Sequence, residues 1–300
     1  MKQAILIIAH NHLWTLKQIL KSLDSEFFDF YIMIDKKSNI ELNDLKNSTQ
    51  ISNIKCWKNI EINWGGTSQA RCEIELLKKA IENKNYNYFH LISGNDFPIK
   101  SAKEIYDFFK SKYPLEFVNF ESKDLQDVKK EFYYYKNFFM NKYKKNIVYK
   151  IANKVLLKLQ KIFKLKINEN IDFKVGCNWF SITDEFAKYL IEKENWVINT
   201  YRYSRSSDES FVQTILYNSE FINKLYNNKF DNDFDACKRL IDWNRGNPYT
   251  FKSSDYNEII NSKAMFVRKV NEDIDKDLII KLEKKLFNEI QKNEGWHDSL

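Results

Sequence analysis

The sequence predicts an α/β fold: a mostly parallel central sheet flanked by helices, interrupted by a helical insertion. Three observations carry this. Short runs of β-forming apolar residues alternate with helix-length amphipathic segments through the first 120 residues, the pattern of strands joined by crossover helices. The run Tyr88–Ile92 stops at Ser93-Gly94-Asn95-Asp96, a buried strand feeding a polar turn, and open α/β sheets bind ligands just past the carboxyl ends of their strands. Residues 121–170 then change character, with dense aromatics followed by a lysine-rich amphipathic stretch.

The elements follow in order. Ala4–Ala9 is a first core strand, and Leu13–Leu23 is a helix with Leu13, Leu16, Ile19, Leu20 and Leu23 on one side. Phe30–Ile34 is a strand ending at Asp35, and Ile54–Trp57 is a short strand. Ser68 is a good helix N-cap, with the helix continuing through Glu73 to Ile81. Ser101 caps a helix from Ala102 to Tyr113, and Leu115–Phe120 is again a strand. In the insertion, Phe132-Tyr133-Tyr134-Tyr135 and Phe138-Phe139 precede a basic helix from Lys144 to Lys166. Ile147, Ile151, Val155, Leu156, Leu159, Ile162 and Phe163 recur there at helical spacing. That helix either packs on the core with a solvated lysine face or lies on an anionic membrane surface. Beyond it come Trp179–Ile182 as a strand and a helix capped by Thr183 or Asp184. A helix from Asp208 to Tyr217 carries a carboxylate pair at its tip. Arg239–Trp243 is a short strand, and a final helix runs from Asp275 to Asn293. With no repeat and no low-complexity linker, one domain over 1–300 is the economical reading.

Composition narrows the function. The formal net charge of +7 suits a partner that carries phosphates. The excess is concentrated between Lys129 and Lys166, and no nucleic-acid-binding motif is present, so no nucleic-acid partner is expected. Cys56, Cys72, Cys177 and Cys237 form no C-x-x-C pair and lack zinc-ligand spacing. Reduced thiols in a cytoplasmic protein are the expectation. The apolar run that opens the chain is too short for a signal peptide or a membrane span.

The chemistry must then be found in turns. G-x-G-x-x-G is absent, and Trp64-Gly65-Gly66-Thr67-Ser68 lacks the ending of a P-loop. That turn still sets backbone N–H groups before a helix, where they suit an anion or a sugar hydroxyl, and Gly66 is its candidate. Asp231-Asn232-Asp233, Asp233-Phe234-Asp235 and Asp273-Ile274-Asp275 are D-x-D strings. They read as turn and helix-start features rather than metal ligands. Where a metal-holding D-x-D would be expected, the chain has Ser93-Gly94-Asn95-Asp96, with one carboxylate, a poor divalent-cation site.

The motif set resembles the Core-2/I-branching β-1,6-N-acetylglucosaminyltransferase family, which includes the peptide O-xylosyltransferases, and the chain reads as a bacterial-type member. The resemblance rests on Ile8-Ala9-His10-Asn11, Ile32–Ser38, Trp64–Arg71, Leu91–Lys100, Gly176–Ser181, Ser206–Phe211, Arg239–Trp243 and Met265–Val270, in that order. Asn95-Asp96-Phe97-Pro98-Ile99-Lys100 is the most specific of these. The region 121–170 lies outside the resemblance.

The resemblance implies a GT-A-like fold. Residues 1–120 would be its nucleotide-binding half and 171–300 its acceptor and catalytic half. It implies inversion at the anomeric carbon with no cofactor and no metal, UDP-sugar being a co-substrate. A base must then take the acceptor proton, and cations must neutralise departing UDP. Glu209 stands at the family's catalytic carboxylate. Arg239 and Lys269 fall at its diphosphate-binding positions, and Arg268 shares that role or points to solvent. Asp35 and His10 end strands that would line the uridine pocket. Gly66, Ser93, Gly94, Asn95 and Asp96 would face the sugars, and Trp179 and Trp243 either stack on sugar faces or belong to the core. The expected donor is UDP-N-acetylglucosamine, with UDP-xylose or a UDP-hexose as the alternative. The expected acceptor is a bacterial surface glycan, free or lipid-linked, met at the inner face of the cytoplasmic membrane. A non-catalytic nucleotide- or glycan-binding protein is the rival reading.

Overall fold

A computed structural model describes residues 1–63, 65–138 and 146–293. Trp64, Phe139 and Lys144, named above, lie outside the described residues, as does the end of the chain past Asn293.

The central sheet has six strands. They are β1 (Gln3–Ala9), β2 (Phe28–Ile34), β3 (Ile54–Trp57), β4 (Tyr88–Ser93), β6 (Phe117–Val118) and β7 (Phe180–Thr183), in the order β3-β2-β1-β4-β7-β6. The first four run parallel, while β7 is antiparallel to both β4 and β6. The sheet is therefore parallel where the sequence places the nucleotide half and mixed beyond it. The 3-2-1-4 order is that of a nucleotide-binding half-sheet, and the antiparallel extension makes the whole GT-A-like.

Burial explains the near-continuous apolar strands, since both faces of the sheet are covered. Side chains alternate along β1. Ile5 and Ile7 face one core with Leu16 and Leu20 of α1 (Leu13–Leu23), Phe109 of α3 (Ala102–Lys112) and Leu282 of α11 (Glu272–Asn293). Ala4 and Leu6 face the other, with Ile74 and Leu77 of α2 (Ser68–Asn83) and Phe186 and Leu190 of α7 (Asp184–Glu192). Each fully buried large apolar side chain contributes roughly 1.5–3 kcal/mol.

Two predicted caps are present. Ser101 Oγ accepts from the Glu104 amide while the Glu104 carboxylate accepts from the Ser101 amide, and Thr183 Oγ1 accepts from the Phe186 amide. Ser68 instead opens α2 as its first residue, and its hydroxyl accepts from the Asn63 amide at 2.7 Å.

A second, three-stranded sheet was not anticipated. It joins β5 (Asp96–Pro98), β8 (Arg239–Ile241) and β9 (Phe266–Arg268) in the order β5-β9-β8. Asp96 registers with Arg268 across the antiparallel pair, and Ile241 with Arg268 across the parallel one. Three short motifs far apart in sequence thus become neighbours. The insertion contributes α4 (Lys123–Lys129), α5 (Glu131–Tyr134) and α6 (Ile147–Ile162).

Candidate active site

The site forms where β1, β2, β3 and β4 end. Because these strands are parallel, their carboxyl termini share one edge. The Asp35 amide donates to the Ala9 carbonyl at 2.8 Å and the Gly94 amide to the Ile8 carbonyl at 3.0 Å, which aligns the three chain exits. A Cβ on Gly94 would lie 3.0 Å from Ala9 Cβ, so a side chain there would press the turn against the end of β1. Asp35 is buried, and its Oδ1 accepts from the Lys37 amide at 3.0 Å. His10 lies within the fields of Asp35, Lys37 and Arg268. Its pKa is lowered, first by desolvation, against the pull of Asp35, so the ring is neutral near neutral pH.

Arg268 crosses from the small sheet to this edge. Its Nη1 donates to Ser93 Oγ and to Asp96 Oδ1, each at 2.7 Å, and its guanidinium lies 4.2 Å from the Trp179 ring centroid. Asp96, fully buried, also accepts from the Ser93 amide at 2.6 Å. Asp96 therefore fixes the turn and aims Arg268, and Asn95 secures the far side by accepting from the Val270 amide. Trp179 is buried beneath the guanidinium and serves as its platform. Lys269 follows at once, partly exposed, and its ammonium has no hydrogen-bond or ion-pair partner among the described residues.

The loop after β3 reaches the same edge and carries Gly65, whose φ of 76° favours glycine. Gly65 O accepts from the Ser206 amide at 3.0 Å, and Gly66 O from Ser207 Oγ at 3.3 Å. Ser207–Glu209 is a single 3-10 turn before α9 (Phe211–Tyr217), in place of the continuous helix expected from Asp208. Glu209 is thereby pinned beside the strand ends, with 36% of its side chain exposed. Its carbonyl accepts from the Gly176 amide at 2.9 Å. A Cβ on Gly176 would sit 1.9 Å from the Asn119 carbonyl oxygen, so only glycine permits this approach.

Several of the groups around Glu209 escaped the sequence reading. Lys129 Nζ lies 3.3 Å from Glu209 Oε2 and 2.5 Å from Glu121 Oε1. Burial opposes the Lys129 charge, but Glu209 and Glu121 outweigh it and its pKa is raised. Asp208 is buried, and burial, with the Glu209 charge second, pushes its carboxyl up to about 7. Glu73 is fully buried, and desolvation followed by Asp208 raises its pKa well above the carboxylate range. Gln69 and Asn178 favour the charged form of Glu73 without making a well-formed hydrogen bond to it. One signal for Glu73 was available. It stands on the α2 face that carries Ala70 and Leu77, where an apolar residue is the rule.

One predicted residue stands back from the site. Arg239 is not at the surface of the site. It is buried, its Nη1 donates to Cys237 O at 2.7 Å, and its Nη2 donates to Leu91 O and Phe180 O at 3.0 Å each. Its guanidinium packs 4.6 Å from the Phe266 ring centroid. It ties β4, β7 and β8 together and offers neither amino group to a ligand. Trp243 is 52% exposed, beyond the end of β8, and is no part of the core.

The D-x-D carboxylates cap backbone. Asp231 Oδ1 accepts from the Asp233 amide, Asp233 Oδ1 from the Asp235 amide, and Asp275 from the Ser253 and Leu278 amides. Among the described residues, His12, Glu272 and Asp273 are grouped closely enough to hold a cation. Glu272 Oε2 there already accepts from the amide and hydroxyl of Thr15, in the first turns of α1.

Chemically, the edge offers a reachable carboxylate, an adjacent ammonium, and two further cations across the strand ends. Such a set can abstract a proton and hold a departing anion.

The family model described as Core-2/I-Branching enzyme matches residues 4–265. Xylosyltransferase 2 of Rattus norvegicus is 23% identical over 296 residues, covering 92% of this chain and 32% of that protein. The xylosyltransferase of Ciona intestinalis is 23% identical over 302 residues, covering 95% and 34%. The chain spans about a third of the length of these relatives. The apo crystal structure of mouse xyloside xylosyltransferase 1 aligns with 89% of this chain and 96% of its own, at a TM-score of 0.40 and 10% identity.

Proposed function

Given that the chain belongs to the Core-2/I-Branching enzyme family, we propose that this glycosyltransferase inverts the anomeric carbon of a UDP-sugar without a metal and glycosylates a glycan hydroxyl. The acceptor oxygen attacks the anomeric carbon while the bond from that carbon to the UDP oxygen breaks. The acceptor proton passes to Glu209. The charge left on UDP is met by Lys269 and by the face of Arg268 not committed to Asp96. His10 and Asp35 flank the nucleoside. Arg239 supports the sheet edge from beneath.

The carrying observation is that the turn holding Glu209 is hydrogen-bonded to the loop after β3, so a reachable carboxylate stands at the edge where Arg268 arrives from β9. A binding protein has no use for a base held there.

The transferred sugar is N-acetylglucosamine or xylose, and the names of the relatives favour xylose. The acceptor is a lipid-linked glycan of surface polysaccharide synthesis, met at the inner face of the cytoplasmic membrane. UDP release with a panel of UDP-sugars, with and without EDTA, tests the reading. Turnover with one sugar that survives EDTA is the expected result. Loss of turnover on chelation, with rescue by Mn2+, would overturn the metal-free mechanism.

A further inference from the structure

Helix α6 is amphipathic, and its inward face is mixed: Ala152, Leu156 and Leu157 are half-buried there beside two amides. Of its sixteen residues only Asn153 and Gln160 are buried. Asn153 Nδ2 donates to Asn137 Oδ1 at 3.2 Å. Gln160 Oε1 accepts from the Lys136 amide at 2.9 Å while its Nε2 donates to the Lys136 carbonyl at 3.0 Å. Side-chain amides thus pin the helix, and the half-buried Leu156 and Leu157 add only partial apolar packing.

The opposite side is apolar and bare. Ile147, Ile151, Val155, Leu159 and Ile162 are exposed, from 43% at Leu159 to 65% at Ile147, and Phe163 and Leu165 continue the patch past the helix end. At 100° per residue these side chains form one stripe, and Lys154 and Lys158 stand beside it, while Lys161 is paired with Glu131 at 2.6 Å. Residues 132–168 hold ten lysines and no acidic residue. A contiguous apolar stripe of this kind marks a surface for something else.

We propose that α6 is a membrane-docking helix that lies in the interface of an anionic phospholipid bilayer. Its apolar stripe enters the acyl boundary, and its lysines extend along that stripe to lipid phosphates. The charge pattern selects this occupant. A second copy of the chain would set lysines against lysines across the same face, whereas an anionic surface neutralises them. No helix among the described residues is long and apolar enough to cross a membrane, so the contact is peripheral. The inference does not depend on the catalytic reading, because its test needs no turnover.

The test is co-flotation of the full chain with phosphatidylcholine vesicles made with or without phosphatidylglycerol. Recovery with the anionic vesicles at low salt, falling at high salt as charges are screened, is the expected result. Lys154→Ser and Lys158→Ser should each lower partitioning about five-fold. Ile151→Asp with Val155→Asp should abolish it with an unchanged melting temperature. Should that double variant melt early, the lysine variants still decide. Equal recovery with neutral and anionic vesicles overturns the proposal. So does a concentration-dependent dimer that the Ile151 variant dissociates while vesicles recover nothing.

Discussion

Lys129 Nζ stands 3.3 Å from Glu209 Oε2 and also holds Glu121, so one ammonium from the insertion bridges two carboxylates at the proposed base. This gives the insertion a catalytic consequence. Lys129 holds the Glu209 side chain beside the buried Asp208 and restrains its rotamer. Replacing it with Met leaves Glu121 and Glu209 as unscreened like charges.

Glu209→Gln should lower kcat by roughly 10²- to 10⁴-fold while UDP affinity stays near the parent value. Lys129→Met should lower kcat by less, because Lys129 acts only by holding the Glu209 side chain in place. Near-normal turnover of Glu209→Gln would remove it as base. Unchanged turnover with a lowered melting temperature would reduce Lys129 to a structural strut.

Lys269 and Arg239 should separate cleanly. Lys269→Ala should weaken UDP much more than uridine, since a charge-assisted hydrogen bond contributes roughly 1.5–3 kcal/mol, and should leave the melting temperature alone. Arg239→Ala should unfold the protein early. It strands the Cys237, Leu91 and Phe180 carbonyls that the guanidinium now satisfies, at a cost of ~3 kcal/mol or more. Calorimetry of both variants with UDP and uridine decides. A stable Arg239→Ala protein with selectively lost UDP affinity would return the diphosphate role to that residue.

These contrasts mark what the sequence can and cannot disclose. His10, Asp35 and Ser93 were legible because each ends an apolar run, and strand ends are where such folds bind. The β5-β9-β8 sheet was not, since three-residue strands leave no local period and β5 meets β9 only across the length of the fold. The burial of Arg239 was hidden for the same reason: its carbonyl partners belong to β4, β7 and the turn before β8. In α6 the period was plain. Periodicity defines two faces without saying which turns inward, and only the amide contacts of Asn153 and Gln160 decide that.

The buried carboxyls carry a pH signature. The Asp208 pKa is raised to about 7, by burial first and by Glu209 second. Its unfolded value lies near 4. Between about pH 4 and about pH 7 the folded chain therefore keeps a proton that the unfolded chain has lost. Stability from this group is complete below the unfolded value and is lost as pH rises through the folded one. Glu73 acts in the same sense, and so does Glu116, which burial raises to about 8. Asp208→Asn copies the protonated shape without the titration. Its melting temperature should fall less than that of the parent between about pH 5 and about pH 8, while the residual slope from Glu116 and Glu73 persists. Parallel melting curves for parent and variant across that range would show that Asp208 is already ionised in the folded chain.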